Sequence, residues 1–161
     1  MIIFINGSIN SGKTTISKML AEKIGKIARI EVDDIRNFIS WMPIMEAIPI
    51  NLENTVLLIK NFLKNNIDVI VPYPLSRKNY DKVMGELKEY KDSVYVFTLS
   101  PKLEVVLKNR GSRELSDFDR DRIKYHYSIG IPSPDFGYII DNSEDVPEET
   151  VGKILRIINK K

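Results

Sequence analysis

Residues 7–15 read Gly-Ser-Ile-Asn-Ser-Gly-Lys-Thr-Thr, so Gly7, Gly12, Lys13 and Thr14 fill the pattern G-x-x-x-x-G-K-[ST]. The residue types match the chemistry of a polyphosphate. Such an anion is wrapped at close range by backbone N–H groups, which needs positions free of a Cβ. Ser8, Ile9, Asn10, Ser11 and Thr15 complete the candidate cradle. Lys13 supplies a mobile cation for the terminal phosphates, and the Thr14 hydroxyl is placed to ligate Mg²⁺.

A second group follows about twenty residues later, where 29–36 read Arg-Ile-Glu-Val-Asp-Asp-Ile-Arg. A carboxylate at Asp33 or Asp34 can accept the proton of an attacking hydroxyl, or hold a metal-bound water. The sequence leaves open which of the two is the base, and either also suits a helix N-cap. Arg36 can face a phosphate or an anionic substrate group. The stretch from Ile39 to Ile50 holds the only tryptophan, Trp41, with two methionines and two prolines. It reads as an adaptable apolar substrate wall, with Glu46 its one charge. Tyr73 ends the next apolar run and is a further candidate for that pocket. Asp68 stands at the beginning of that run, the wrong end for a metal ligand, so metal support falls to Thr14 and, through water, to Asp33 or Asp34.

Transfer of a phosphoryl group requires cations over the developing charge, often carried on a mobile flap. Arg110 and Arg113, three apart around Gly111, suit that part, and Arg110 also suits contact with the nucleotide. Arg120 and Arg122 lie among Asp117, Asp119 and Asp121 and read as a solvated, ion-paired helix face. The lone histidine, His126, makes no metal cluster and reads as a packed or surface residue.

These residues need elements to position them. Strand-like apolar runs fall near 2–6, 28–32, 67–72, 93–99 and 138–141, with helical patterns near 13–25, 34–41, 51–65, 76–90, 101–109, 117–127 and 147–159. Their alternation is the α/β signature. Asn51 and Ser76 are expected as N-caps, and Pro147 with Glu148 and Glu149 suits a first helical turn. Leu52, Val56, Ile59 and Leu63 share one helical face, which should be buried. In a parallel sheet the ligand lies beyond the carboxyl ends of the strands, where the phosphate loop and Asp33 both fall.

The chain of 161 residues has 43% hydrophobic and 29% charged residues, as a single soluble domain would. With a net charge of +2, nothing points to duplex nucleic acid or a membrane surface as partner. It has no cysteine, which excludes disulfides, thiolate metal sites and cysteine nucleophiles. No apolar run approaches 18 residues and no leader precedes the first strand, so a cytoplasmic location is expected. Oligomeric state leaves no mark on the sequence.

With these residues in place, the whole chain resembles the phosphate-loop small-molecule kinases, relatives of shikimate, gluconate and adenylate kinases, and among them is most similar to the chloramphenicol phosphotransferase group. The likeness rests on Asn6-Gly7 leading into Ser11-Gly12-Lys13, on Val32-Asp33, on Arg110-Gly111-x-Arg113, and on the run from Tyr138 to Asp141. Asp33-Asp34-Ile35-Arg36 is also similar to the Asp-Asp-x-Arg of polynucleotide 5′-kinases. The resemblance implies a three-layer α/β sandwich whose five-stranded parallel sheet has the order 2-3-1-4-5. It implies Asp33 as base, Lys13 and Thr14 on ATP and Mg²⁺, a substrate segment at about 34–65 and a lid at about 110–122. The segment between the second and third strands is shorter than in the antibiotic kinases, and the aspartate expected near the end of the third strand is absent. The reaction type therefore carries over and the antibiotic does not.

The leading reading is an ATP-dependent kinase acting on a hydroxyl of a small molecule, with Asp33, Asp34, Arg36, Trp41 and Tyr73 on the acceptor. A kinase of nucleotides or nucleic-acid 5′ ends is the second. A nucleotide-binding regulatory module without an acceptor is the third. A guanine-selective Asn-Lys-x-Asp motif would favour the third, and the only Asn-Lys pair is Asn159-Lys160 at the C-terminus.

Overall fold

A computed structural model describes residues 1–108 and 114–160. Five strands form one parallel sheet: β1 (Ile2–Gly7), β2 (Ile27–Arg29), β3 (Asp68–Pro72), β4 (Val94–Leu99) and β5 (Tyr138–Ile140), in the spatial order β2-β3-β1-β4-β5. Helices α1 (Lys13–Ile24), α2 (Val32–Arg36), α3 (Ile44–Lys64), α4 (Arg77–Glu86), α5 (Leu103–Val106), α6 (Asp117–Ser128) and α7 (Pro147–Ile158) connect and cover them. This is the α/β architecture and strand order that the resemblance implied.

The central strand explains the layering. β1 is buried along its whole length and pairs with β3 on one side and β4 on the other. A strand covered on both faces reads as an unbroken apolar run, which is what Ile2-Ile3-Phe4-Ile5 is. Alternation then sends Ile3 and Ile5 to one layer, against Ile16 and Leu20 of α1 and Val151 and Ile154 of α7. Ile2 and Phe4 enter the opposite layer with Leu52, Val56 and Ile59 of α3 and Val83 of α4. The stripe expected at 52-56-59 is buried as foreseen, with Leu63 packed partly against the same cluster. Among the described residues no helix is long and apolar enough to cross a membrane.

Three local expectations need correction. The second strand does not extend to residue 32. It ends at Arg29, and Val32 opens α2, because Val32 and Ile35 reach the core at helical spacing. Asp33 and Asp34 therefore sit in a first helical turn rather than on a strand end. Next, α3 begins at Ile44 rather than 51 and runs through Pro49. Ala47 and Leu52 are buried on this longer helix, so packing outweighs the ladder hydrogen bond that Pro49 cannot make. Asn51 is accordingly an interior residue of α3 and not its cap. Finally, the expected helix at 101–109 is reduced to α5, and Asn10 Nδ2 binds the carbonyls of Val106 and Lys108 at 2.8 and 2.9 Å. The caps at the other helices agree: Asn79 N–H donates to Ser76 Oγ at 3.3 Å, and Pro147 opens α7. Arg110 and Arg113 lie outside the described residues.

Candidate active site

At the carboxyl edge of the sheet the phosphate loop borders a cavity of about 760 Å³. Ile9, Asn10, Ser11, Gly12, Lys13, Thr14 and Thr15 line it, while Gly7 and Ser8 support the loop from behind. The loop's curve is forced at its ends. Gly7 has φ +138°, and a Cβ there would stand 2.6 Å from the Leu99 carbonyl oxygen. Asn10 and Gly12 are also left-handed, at φ 63° and 98°. Backbone of this kind folds successive N–H groups into an anion-binding concavity, which the first turn of the 12-residue α1 continues.

Side chains from distant elements hold that shape. Asn142 Nδ2, just beyond β5, donates to the Ser11 carbonyl at 3.0 Å. Ser8 Oγ meets His126 Nδ1 of α6 at 3.3 Å. Lys13 Nζ donates to the Ser8 carbonyl at 2.6 Å, which folds its charge back over the loop. Behind the loop, the Asn6 amide ties three segments together. Its Nδ2 donates to Thr98 Oγ1 at 3.0 Å and the Ile131 carbonyl at 3.4 Å, and its Oδ1 accepts from Leu75 N–H at 2.7 Å.

From α2, Asp33 and Arg36 line the same cavity, one turn apart. Three carboxylates border the space, Glu31, Asp33 and Asp145. Glu31 is paired with Arg29 and Asp145 with Lys153, so among the described residues Asp33 is the cavity carboxylate outside any ion pair. Tyr73 lies close enough to feel its charge. Burial first, and Asp33 second, push the Tyr73 hydroxyl up to about 12, with Arg122 opposing, so it stays a proton donor at neutral pH. His126 moves the other way. Burial, then the charges of Arg122 and Lys13, hold its pKa down to about 4, so the ring is neutral. With its proton on Nε2, Nδ1 accepts the Ser8 hydroxyl.

Of the residues singled out from sequence, the fold thus brings the phosphate loop, Asp33, Arg36 and Tyr73 to one space. It does not bring Asp34 or Trp41 there: both are exposed and outside the lining, Trp41 at 77%. Ile44 and Ile48 of α3 form the apolar wall instead. Arg122 and His126, set aside as surface or packing residues, line the cavity together with Phe118. Their spacing of four residues was the available signal, since 118, 122 and 126 share one helical stripe. Arg120 instead donates to the Leu107 carbonyl.

The lining suits a nucleotide and its metal. Ser11 Oγ is buried with no partner among the described residues, a group that phosphate oxygens would satisfy. Thr14 and Asp33 both line the cavity and offer hard oxygen ligands. No group of three or more histidine or acidic residues stands ready to cage a metal among the described residues. Mg²⁺ fits such a sparse set, because it keeps waters and takes oxygens from substrate phosphates.

No protein-family model matches the chain, and no curated sequence matches it significantly. Solved structures do. A sugar kinase from Janibacter sp. HTCC2649 superposes with a TM-score of 0.72 at 19% identity, covering 98% of this chain and 94% of that one. The tunicamycin resistance protein of Deinococcus radiodurans gives 0.66 at 22% identity, with 98% and 94% covered. Shikimate kinase from Aquifex aeolicus gives 0.60 at 19% identity, with 99% and 97% covered. At these identities the likeness is one of fold: the chain shares the parallel α/β fold of these proteins, two of which are kinases of small molecules.

Proposed function

We propose that the protein is an ATP- and Mg²⁺-dependent phosphotransferase that moves the γ-phosphate to a hydroxyl of a small molecule. The observation that supports this most directly is one cavity lined both by the phosphate loop and by the Asp33 carboxylate, which is in no ion pair among the described residues.

Bound Mg²⁺–ATP supplies the phosphoryl group and a metal charge that offsets the negative charge developing in transfer. The chain's own residues do the rest. The loop N–H groups and Lys13 hold the phosphates, and Lys13 must swing from the Ser8 carbonyl to do so. The Thr14 hydroxyl, and Asp33 through water, hold the metal. Asp33 accepts the acceptor's hydroxyl proton as that oxygen attacks. Arg110 and Arg113 of the lid stabilise the transferring group, and Arg122, which lines the cavity, adds a third guanidinium there. Tyr73 donates a hydrogen bond within the acceptor half. Because Asp33 and Arg36 line the same wall, a 5′-hydroxyl nucleotide or polynucleotide kinase is the second reading.

The test is ADP release from Mg²⁺–ATP over a panel of aminoglycosides, phenicols, macrolides, nucleosides, shikimate, sugar acids and a 5′-hydroxyl oligonucleotide. One acceptor that raises turnover far above background supports the proposal and names the class. Stimulation by the oligonucleotide alone selects the second reading. A flat panel with ATP binding intact points to a nucleotide-binding regulatory module.

A further inference from the structure

Asn51 is a polar residue in an unfavourable place. It lies inside α3, where asparagine is a poor helix former, and it is 3% exposed. Its backbone carbonyl takes the Thr55 hydroxyl at 2.7 Å, but its side-chain Oδ1 has no partner among the described residues. A buried acceptor left unmet costs stability, and an apolar residue of the same size would remove that cost. Asn51 nevertheless borders the cavity, on the helical stripe that runs Ile44, Ile48, Asn51. From the very next residue onward, the same helix turns Leu52, Val56 and Ile59 into the core. The amide therefore sits where the α3 wall of the cavity gives way to the interior.

Its surroundings limit what can meet it. Ile44, Ile48, Pro72 and Pro74 line the cavity with it and offer no side-chain hydrogen bonds, while the polar side chains of the acceptor half, Asp33, Arg36 and Tyr73, serve the reacting end. A molecule with hydroxyls all round would leave several of them unpaired against this wall, which costs affinity. A molecule with an apolar body and one donor aimed at Oδ1 would leave none unpaired there.

We propose that Asn51 selects the acceptor: its Oδ1 receives a second hydrogen-bond donor on an alcohol whose body is apolar. This rests on the kinase reading for the first hydroxyl, the one Asp33 receives. The acceptor class is then an amphipathic molecule with two donors at one end, rather than a polyhydroxylated acid.

Binding measured without turnover separates the two claims. Dissociation constants are read by NMR titration in the presence of Mg²⁺–ADP. The probes are 1-phenyl-1,2-ethanediol and 1-phenyl-1,3-propanediol, the matched alcohols 2-phenylethanol and 3-phenyl-1-propanol, and gluconate. The wild type is expected to bind the better diol about tenfold more tightly than its mono-alcohol, as one satisfied buried acceptor implies. Asn51→Leu and Asn51→Ala are expected to bring that ratio close to one, with Mg²⁺–ADP affinity as the control for folding. Asn51→Leu is also expected to raise the thermal midpoint, whereas an asparagine with a structural partner would lower it. A ratio that survives in Asn51→Leu, no preference in the wild type, or tighter binding of gluconate than of either diol overturns the proposal. A diol that binds in the expected way but releases no ADP counts against the kinase reading and leaves Asn51 in its role.

Discussion

Ser8 Oγ of the phosphate loop and Nδ1 of His126 on α6 stand 3.3 Å apart, across 118 positions of chain. The contact joins the loop to the helix that also carries Arg122, so the anion cradle and a cation at the cavity wall are fixed relative to each other.

That contact carries a pH signature. His126 in the folded chain protonates only near pH 4, whereas its ordinary value is 6.5. Between those values the unfolded chain binds the extra proton, so stability is full above about pH 6.5 and is lost as pH falls toward 4. His126→Asn keeps an acceptor near Ser8 but cannot titrate. Thermal midpoints recorded from pH 7 to pH 4 are expected to fall more steeply in the wild type than in the variant. Parallel curves would show that His126 does not control this window.

Asp33→Asn keeps the shape of the side chain and removes its basicity. Turnover with a stimulating acceptor is expected to fall by about 10²–10⁴, the usual contribution of a positioned base. Calorimetry should show ATP still binding. Undiminished turnover would remove Asp33 from the role.

Lys13→Ala removes the mobile cation of the loop. ATP affinity is expected to drop by about 10- to 100-fold, as loss of a charged hydrogen bond implies. Calorimetry giving the wild-type affinity would count against the assignment of the loop.

Gly7→Ala and Gly12→Ala separate backbone strain from steric conflict. Both positions are left-handed, but only at Gly7 does a Cβ meet a backbone oxygen at 2.6 Å; at Gly12 the nearest atom is Asn142 Nδ2 at 3.9 Å. Gly12→Ala is expected to cost about 1–2 kcal/mol from φ alone. Gly7→Ala should cost about 3 kcal/mol or more, because the Leu99 carbonyl belongs to β4 and cannot move aside. Thermal melts should show the larger loss at Gly7, and equal losses would contradict the geometry.

Much of this molecule is legible in one dimension because the information is local. The phosphate loop is nine consecutive residues, and the reasons for Gly7, Gly12, Lys13 and Thr14 all lie within that short stretch. The buried run of β1 and the stripe Leu52, Val56 and Ile59 announce themselves by period. Alternation of such runs then implies a parallel sheet and places Asp33 at the loop's edge.

What remained hidden depends on what a residue meets across the fold. The third helix was expected from residue 51, yet the core drew it back to Ile44 and through Pro49, because buried apolar surface outweighed one missing hydrogen bond. That shift turned Asn51 from a cap into an unmet amide at the cavity and left Trp41 outside it. Whether Arg122 and His126 face water or the phosphate loop follows from the rotation of α6, which Val106, Leu115 and Ile123 set by packing together. The sequence by itself determined which loop has the residue pattern of a phosphate binder. Tertiary packing decided which side chains stand opposite that loop, since only long-range burial sets which face each helix turns toward the cavity.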